Sequence, residues 1–161
     1  MSIRAIVFDW GDTLMKDFPE YSGPMVFWPR VEIMPGVYEL LDLIHKRFTC
    51  CVASNAGDSD AELMGLALER VNIREYFNYL FTSKELGYKK PEIEFFLEIC
   101  RRLGIIPNEC LMIGNDYLKD IVPAKEGELN TVLVAVKAKR TDFPKADFLI
   151  DSLEELKSIL L

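Results

Sequence analysis

Histidine is nearly absent from this chain: His45 is the only one among 161 residues. A Ser-His-Asp or Cys-His hydrolase would have to be built on that one imidazole, and no Gly-x-Ser-x-Gly elbow accompanies it. His45 follows Leu43-Ile44 near the end of an expected helix, where an imidazole sits well beside the terminal carbonyls. Cysteine is scarce too. Cys50, Cys51, Cys100 and Cys110 show no metal-ligand spacing and fall inside expected strands or helices, as reduced core residues do. No apolar stretch approaches the roughly 18 residues of a membrane span, and no basic region followed by an apolar segment and a cleavage site opens the chain. A cytoplasmic protein away from membranes is expected. Positive charge is short, with 19 Lys and Arg against 26 Asp and Glu and a formal net charge of -7, which argues against binding nucleic acid by neutralising phosphates. Internal repeats and low-complexity linkers are missing as well. The remaining composition, 50% hydrophobic and 28% charged, is that of one ordinary globular domain, residues 1-161.

What is present is a set of apolar runs that stop abruptly on polar residues. Ile3-Arg4-Ala5-Ile6-Val7-Phe8 reads as a central parallel strand buried on both faces, and it ends at Asp9, followed by the tight Trp10-Gly11-Asp12-Thr13 segment. In open α/β sheets ligands bind beyond the carboxyl ends of strands, so Asp9 is a candidate nucleophile, although an Asp here can also cap a turn. Cys51-Val52-Ala53 runs into Ser54-Asn55-Ala56-Gly57, a hydroxyl, an amide and a glycine suited to an oxyanion or, equally, to a turn. Lys90 stands before Pro91, which restricts its backbone. Leu111-Met112-Ile113-Gly114 leads into Asn115-Asp116, with Asp120 four residues beyond Asp116; the two carboxylates can face one pocket or cap a helix.

Between these points strands and helices alternate. Helices are expected from Pro35-Gly36 to Arg47, from Ser59 to Val71 with Asp58 or Ser59 as N-cap, from Pro91 to Leu103, across 117-126, and from Ser152 onward. Further strands are expected at 48-53, 79-81, 110-113, 131-136 and 148-150. This rhythm predicts an α/β fold, a doubly wound Rossmann-like parallel sheet with helices on both faces, and the short intervals at 14-34 and 56-84 leave no room for a large inserted domain such as a cap. One segment interrupts it. Residues 14-34 carry Phe18, Tyr21, Phe27 and Trp28 among three prolines, and form either a loop packed on the core or a flap over the site or a subunit contact.

A strand-end Asp, a strand-end Ser, a Lys-Pro and a strand-end Gly with an acidic pair, in that order, resemble the haloacid-dehalogenase-like (HAD) hydrolase superfamily from Ile3 to about Ile150. The resemblance implies a phosphatase in which Asp9 attacks phosphorus to form an aspartyl-phosphate. Thr13, Ser54 and Asn55 would lie against the substrate, Lys90 would neutralise phosphoryl oxygens, and Asp9, the carbonyl of Gly11, Asp116 and Asp120 would hold Mg²⁺. The chain departs from the pattern at Gly11, where the family's phosphatases carry a second Asp as acid and base. Asp12 follows one position later as its candidate replacement. A second departure is Asn115 in the first acidic position. The implied substrate is a phosphorylated small molecule or macromolecule, reached through an open site that a neighbouring subunit of a homo-oligomer can close. A weakly active or inactive member that binds a phosphorylated ligand or a protein is the alternative, supported by Gly11. Carbon–halogen hydrolysis by Asp9 leaves the acidic pair without a purpose. A receiver domain would carry its phosphorylated Asp on a later strand.

Overall fold

The computed structural model describes residues 2–161. Six strands, β1 (Ala5–Phe8), β2 (Thr49–Ser54), β3 (Tyr79–Thr82), β4 (Cys110–Gly114), β5 (Asn130–Val134) and β6 (Phe148–Ile150), form one sheet in the order β3-β2-β1-β4-β5-β6. Every pairing is parallel. The doubly wound sheet expected from the sequence is therefore present. Its strand order reverses direction between β1 and β4, and the crevice beyond their carboxyl ends is where such sheets bind ligands.

The helices are α1 (Val37–Ile44), α2 (Ala61–Arg70), α3 (Ser83–Leu86), α4 (Ile93–Leu103), α5 (Val122–Glu126) and α6 (Leu156–Leu160). Alternation along β1 divides the core. Ile6 and Phe8 pack with Leu40, Leu41 and Ile44 of α1, Met64 and Leu68 of α2 and Leu156 of α6. Val7 faces the other way, onto Phe95, Phe96 and Ile99 of α4 and Ala124 of α5. Strands buried on both faces must be apolar at successive positions, which is why β1 reads as a continuous hydrophobic run. All four cysteines are free and buried in these layers.

Local chemistry moves several boundaries. Asp60, rather than Asp58 or Ser59, caps α2 by accepting from the Leu63 N–H at 3.0 Å. Helix α4 starts at Ile93 and not at Pro91, with the Lys90–Pro91 peptide cis. Gly104 ends it in the left-handed conformation, φ 67°. The expected helix across 117-126 divides into a π-helical turn, Tyr117–Ile121, and α5. Ser152 caps a 3₁₀ turn that leads into α6.

The 14-34 segment is packed against the domain. Phe18 and Met25 are buried, and Phe18, Tyr21 and Trp28 form an aromatic cluster with ring centroids 5.6 to 6.5 Å apart. Arg70 of α2 donates to the carbonyls of Val26 at 3.0 Å and Trp28 at 2.7 Å, while Phe27 points into solvent.

Candidate active site

Asp9 leaves β1 with its backbone still in the sheet, its N–H donating to the Ile113 carbonyl of β4 at 2.8 Å. The chain then turns sharply, as Leu14 and Met15 N–H both donate to the Trp10 carbonyl and Asp12 takes φ 56°. The ladder anchors the Asp9 backbone while the turn frees its side chain to face the crevice.

Lys90 reaches the same point from the other side. Its ammonium donates to Asp9 Oδ1 at 2.9 Å and to the Ala53 carbonyl at 2.9 Å, and pairs with Asp120 Oδ1 at 2.7 Å. Those contacts use all three of its protons. The Lys90 side chain is 3% exposed and that of Asp120 2%, while that of Asp9 is 14% exposed and so remains open to the cleft. Burial alone would lower the Lys90 ammonium, but the charges of Asp9 and Asp120 outweigh it and hold it above the usual lysine value. Burial pushes the Asp120 carboxyl up to about 6, against the downward pull of Lys90 and with the Asp9 charge adding to the rise.

Asn55 anchors Lys90: its Oδ1 accepts from the Lys90 N–H at 2.8 Å and its Nδ2 donates to the Lys90 carbonyl at 3.3 Å. The residue expected against substrate therefore has its amide engaged with the lysine backbone. Ser54 lines the cleft and donates to the Asn55 carbonyl at 3.1 Å. Thr13 is buried beneath Asp9, with its hydroxyl 3.4 Å from Asp9 Oδ2.

The segment after β4 distributes its polar residues in a way that spacing does not reveal. Asp120 Oδ2 accepts from the Asp116 N–H at 3.1 Å, while Asp116 Oδ1 accepts from the Lys119 N–H at 3.1 Å and so caps the π-helical turn. The two carboxylates share the cleft but are spent on different partners, Asp120 on Lys90 and Asp116 on the backbone. Asn115 is the residue that meets Asp9. In the amide orientation that satisfies both of its ends, its nitrogen donates to Asp9 Oδ2 at 2.9 Å, with the Gly11 carbonyl at 3.2 Å and Thr13 Oγ1 at 3.3 Å. Gly114 makes the close approach of Asp120 possible: a Cβ built there would lie 2.6 Å from Asp120 Cγ. Nothing in the spacing points to the contact of Gly114 with Asp120, whereas Asn115 is marked in the sequence as a departure in the first acidic position.

These residues enclose a cleft of about 270 Å³. Asp9, Asp12, Asp17, Asp116 and Asp120 face only Lys90 and Lys119 as opposing charges, a formal balance of five against two. A second hollow of about 240 Å³ shares Gly11, Asp17, Ser54 and Asn55 with it and is walled by Trp10, Met25 and Trp28. The 14-34 segment thus forms one side of the cleft's extension. Asp12 lines the cleft while its Oδ1 accepts from the Asp17 N–H at 2.9 Å, tying the β1 turn to that segment.

Residues 18–127 match the family of haloacid dehalogenase-like hydrolases. The chain belongs to that family. The match begins at Phe18, after Asp9 and its turn. The chain is 34% identical over 99 residues to the glyceraldehyde 3-phosphate phosphatase of Methanothermobacter thermautotrophicus, covering 58% of this chain and 44% of that one. It is 38% identical over 96 residues to the Methanocaldococcus jannaschii protein of the same name, covering 58% and 42%. It thus spans under half the length of these relatives. Among solved structures, a HAD phosphatase from Thermococcus onnurineus superposes with a TM-score of 0.79 at 18% identity over 98% of both chains, which is a likeness of fold.

The chemistry of the site suits a small divalent cation. Among the described residues no three carboxylate, imidazole or thiolate side chains converge as a metal cluster, so neutral oxygens would have to complete the shell of any such ion beside Asp9. The amide position of Asn115 lies 2.9 Å from Asp9 Oδ2 and 3.2 Å from the Gly11 carbonyl. Adjacent ligands of an octahedral Mg²⁺, with bonds of about 2.0 to 2.1 Å, are about 2.9 Å apart. The excess of carboxylates also leaves any anion that enters the cleft without sufficient opposing charge. No helix among the described residues is long and apolar enough to cross a membrane.

Proposed function

We propose that this HAD hydrolase is a magnesium-dependent phosphatase of small phosphomonoesters and that Asp9 is its nucleophile. The observation that carries the reading is a part-exposed carboxylate at the strand-order reversal, held on one oxygen by a buried ammonium and facing an open cleft. Asp9 attacks phosphorus, the bond to the ester oxygen breaks, and the departing alkoxide takes a proton, for which Asp12, one position after Gly11 and lining the cleft, is the candidate donor. Water then attacks the aspartyl-phosphate, releasing inorganic phosphate and restoring the Asp9 carboxylate. Lys90 acts through Asp9 and Asp120, holding the nucleophile in place while its charge lowers the repulsion between two anions.

Asp9 and the Gly11 carbonyl would hold Mg²⁺ directly with Asn115 turned to present its oxygen, and Asp116 and Asp120, which line the same cleft, would accept hydrogen bonds from its retained waters. Bound there, the ion supplies the positive charge that a phosphate dianion needs. Ser54, its hydroxyl turned from the Asn55 carbonyl, and the backbone N–H groups that follow it would receive phosphoryl oxygens, and Thr13 would support Asp9. The hollow beside Trp10 and Trp28 suits a small organic leaving group, in keeping with relatives named for a triose phosphate. Four free, buried cysteines fit a reducing compartment such as the cytoplasm.

Phosphate release from p-nitrophenyl phosphate and a panel of sugar and polyol phosphates, with Mg²⁺ or with EDTA, tests the reading against Asp9→Asn. Wild type is expected to turn over only with Mg²⁺, and the variant to lose on the order of 10³-fold or more. Gly11 favours one competing reading, phospho-ligand binding without turnover. A folded, magnesium-binding protein no faster than Asp9→Asn on every ester would establish that reading instead.

A further inference from the structure

The Asn115 amide reaches both Asp9 Oδ2 and the Gly11 carbonyl, two acceptors with no proton between them. An amide nitrogen there satisfies both without any ion. A carboxylate there would set a second negative charge against Asp9 Oδ2, a repulsion that at neutral pH either a cation between the two or a proton shared by them must offset. Neither Asp116, which caps the following turn, nor Asp120, which is committed to Lys90, offers the nucleophile that contact.

We propose that Asn115 sets how strongly this site holds a divalent cation. Without one, the N–H group of its amide closes Asp9 and the Gly11 carbonyl together; to accept one, the amide must turn so that Oδ1 replaces the nitrogen. Two consequences follow. The cation-free protein keeps its nucleophile ordered and its fold stable, and the cation binds weakly, because it displaces existing hydrogen bonds and gains a neutral ligand in place of a charged one. The inference rests on the magnesium reading above, but its test does not use turnover.

Magnesium is titrated calorimetrically into wild type, Asn115→Asp and Asn115→Ala, and each is melted in EDTA and in Mg²⁺, with circular dichroism confirming the fold. Asn115→Asp should bind Mg²⁺ about 10-fold more tightly or better, melt below wild type in EDTA, and recover in Mg²⁺. A variant that folds only with Mg²⁺ present meets the same expectation in its extreme form. Asn115→Ala should lose melting temperature in EDTA without gaining affinity. Equal affinity in wild type and Asn115→Asp, or an Asn115→Asp protein as stable as wild type in EDTA, overturns the inference alone. No binding by any of the three overturns it together with the magnesium part of the proposed function.

Discussion

Replacing Lys90 by Met removes one buried charge and leaves two of the opposite sign behind. The ammonium has side-chain exposure of 3% and lies 2.7 Å from Asp120, itself 2% exposed, and 2.9 Å from Asp9. Removing one partner of such a buried pair costs about 3 to 5 kcal/mol, because the remaining charge has neither water nor a counter-ion. For a domain of this size each kcal/mol moves the melting temperature by about 2 to 4 °C, so a fall of roughly 6 to 20 °C is expected at pH 8. The pH dependence carries a definite sign. Burial already raises Asp120 to about 6 while Lys90 pulls it down, so without the lysine it titrates higher still. An unfolded carboxylate titrates near 4, at about 3.9 for Asp. The folded variant therefore binds a proton that the unfolded chain does not, a stabilisation present at low pH and lost as pH rises through the raised value. The deficit against wild type should be largest at pH 8 and shrink as pH falls through 6 toward 5. Adding Asp120→Asn to Lys90→Met should recover part of the pH 8 loss. Thermal melts by circular dichroism across that range measure all of this. A Lys90→Met protein within 1 °C of wild type at pH 8, or a deficit that grows in acid, would refute the argument.

Two other perturbations probe the same machinery. Gly114→Ala brings a methyl group to where Asp120 Cγ lies 2.6 Å away, so Asp120 must leave Lys90; a loss of about 1 to 3 kcal/mol in urea denaturation is expected, and an unchanged midpoint would show that the loop yields freely. Asp12→Asn should slow release from an alkyl phosphate by about 10²- to 10⁴-fold while sparing p-nitrophenyl phosphate, whose leaving group needs no proton; equal effects on both would remove Asp12 from the acid's role.

The strand ends that line the cleft were legible because a parallel sheet buried on both faces demands apolar runs, and a run that breaks on Asp, Ser or Gly marks where the chain meets water. Asp9, Ser54 and Gly114 stood out in that way, while Lys90 was marked by the proline after it and Asp120 by its spacing from Asp116. Helix starts were less legible. Asp58, Ser59 and Asp60 are all competent N-caps, and only the hydrogen bond to Leu63 decides among them.

Amino-acid order by itself determined the sheet, its strand-end carboxylate and the lysine, since burial periodicity and turn chemistry are local properties. Tertiary structure alone decided how the polar groups pair. Asn55 and Asn115 are small amides whose donors and acceptors find partners 35 residues away in one case and over a hundred in the other. Which carboxylate faces Lys90 and which caps a turn depends on β1 and β4 lying side by side, a contact between residues distant in sequence that no local pattern encodes.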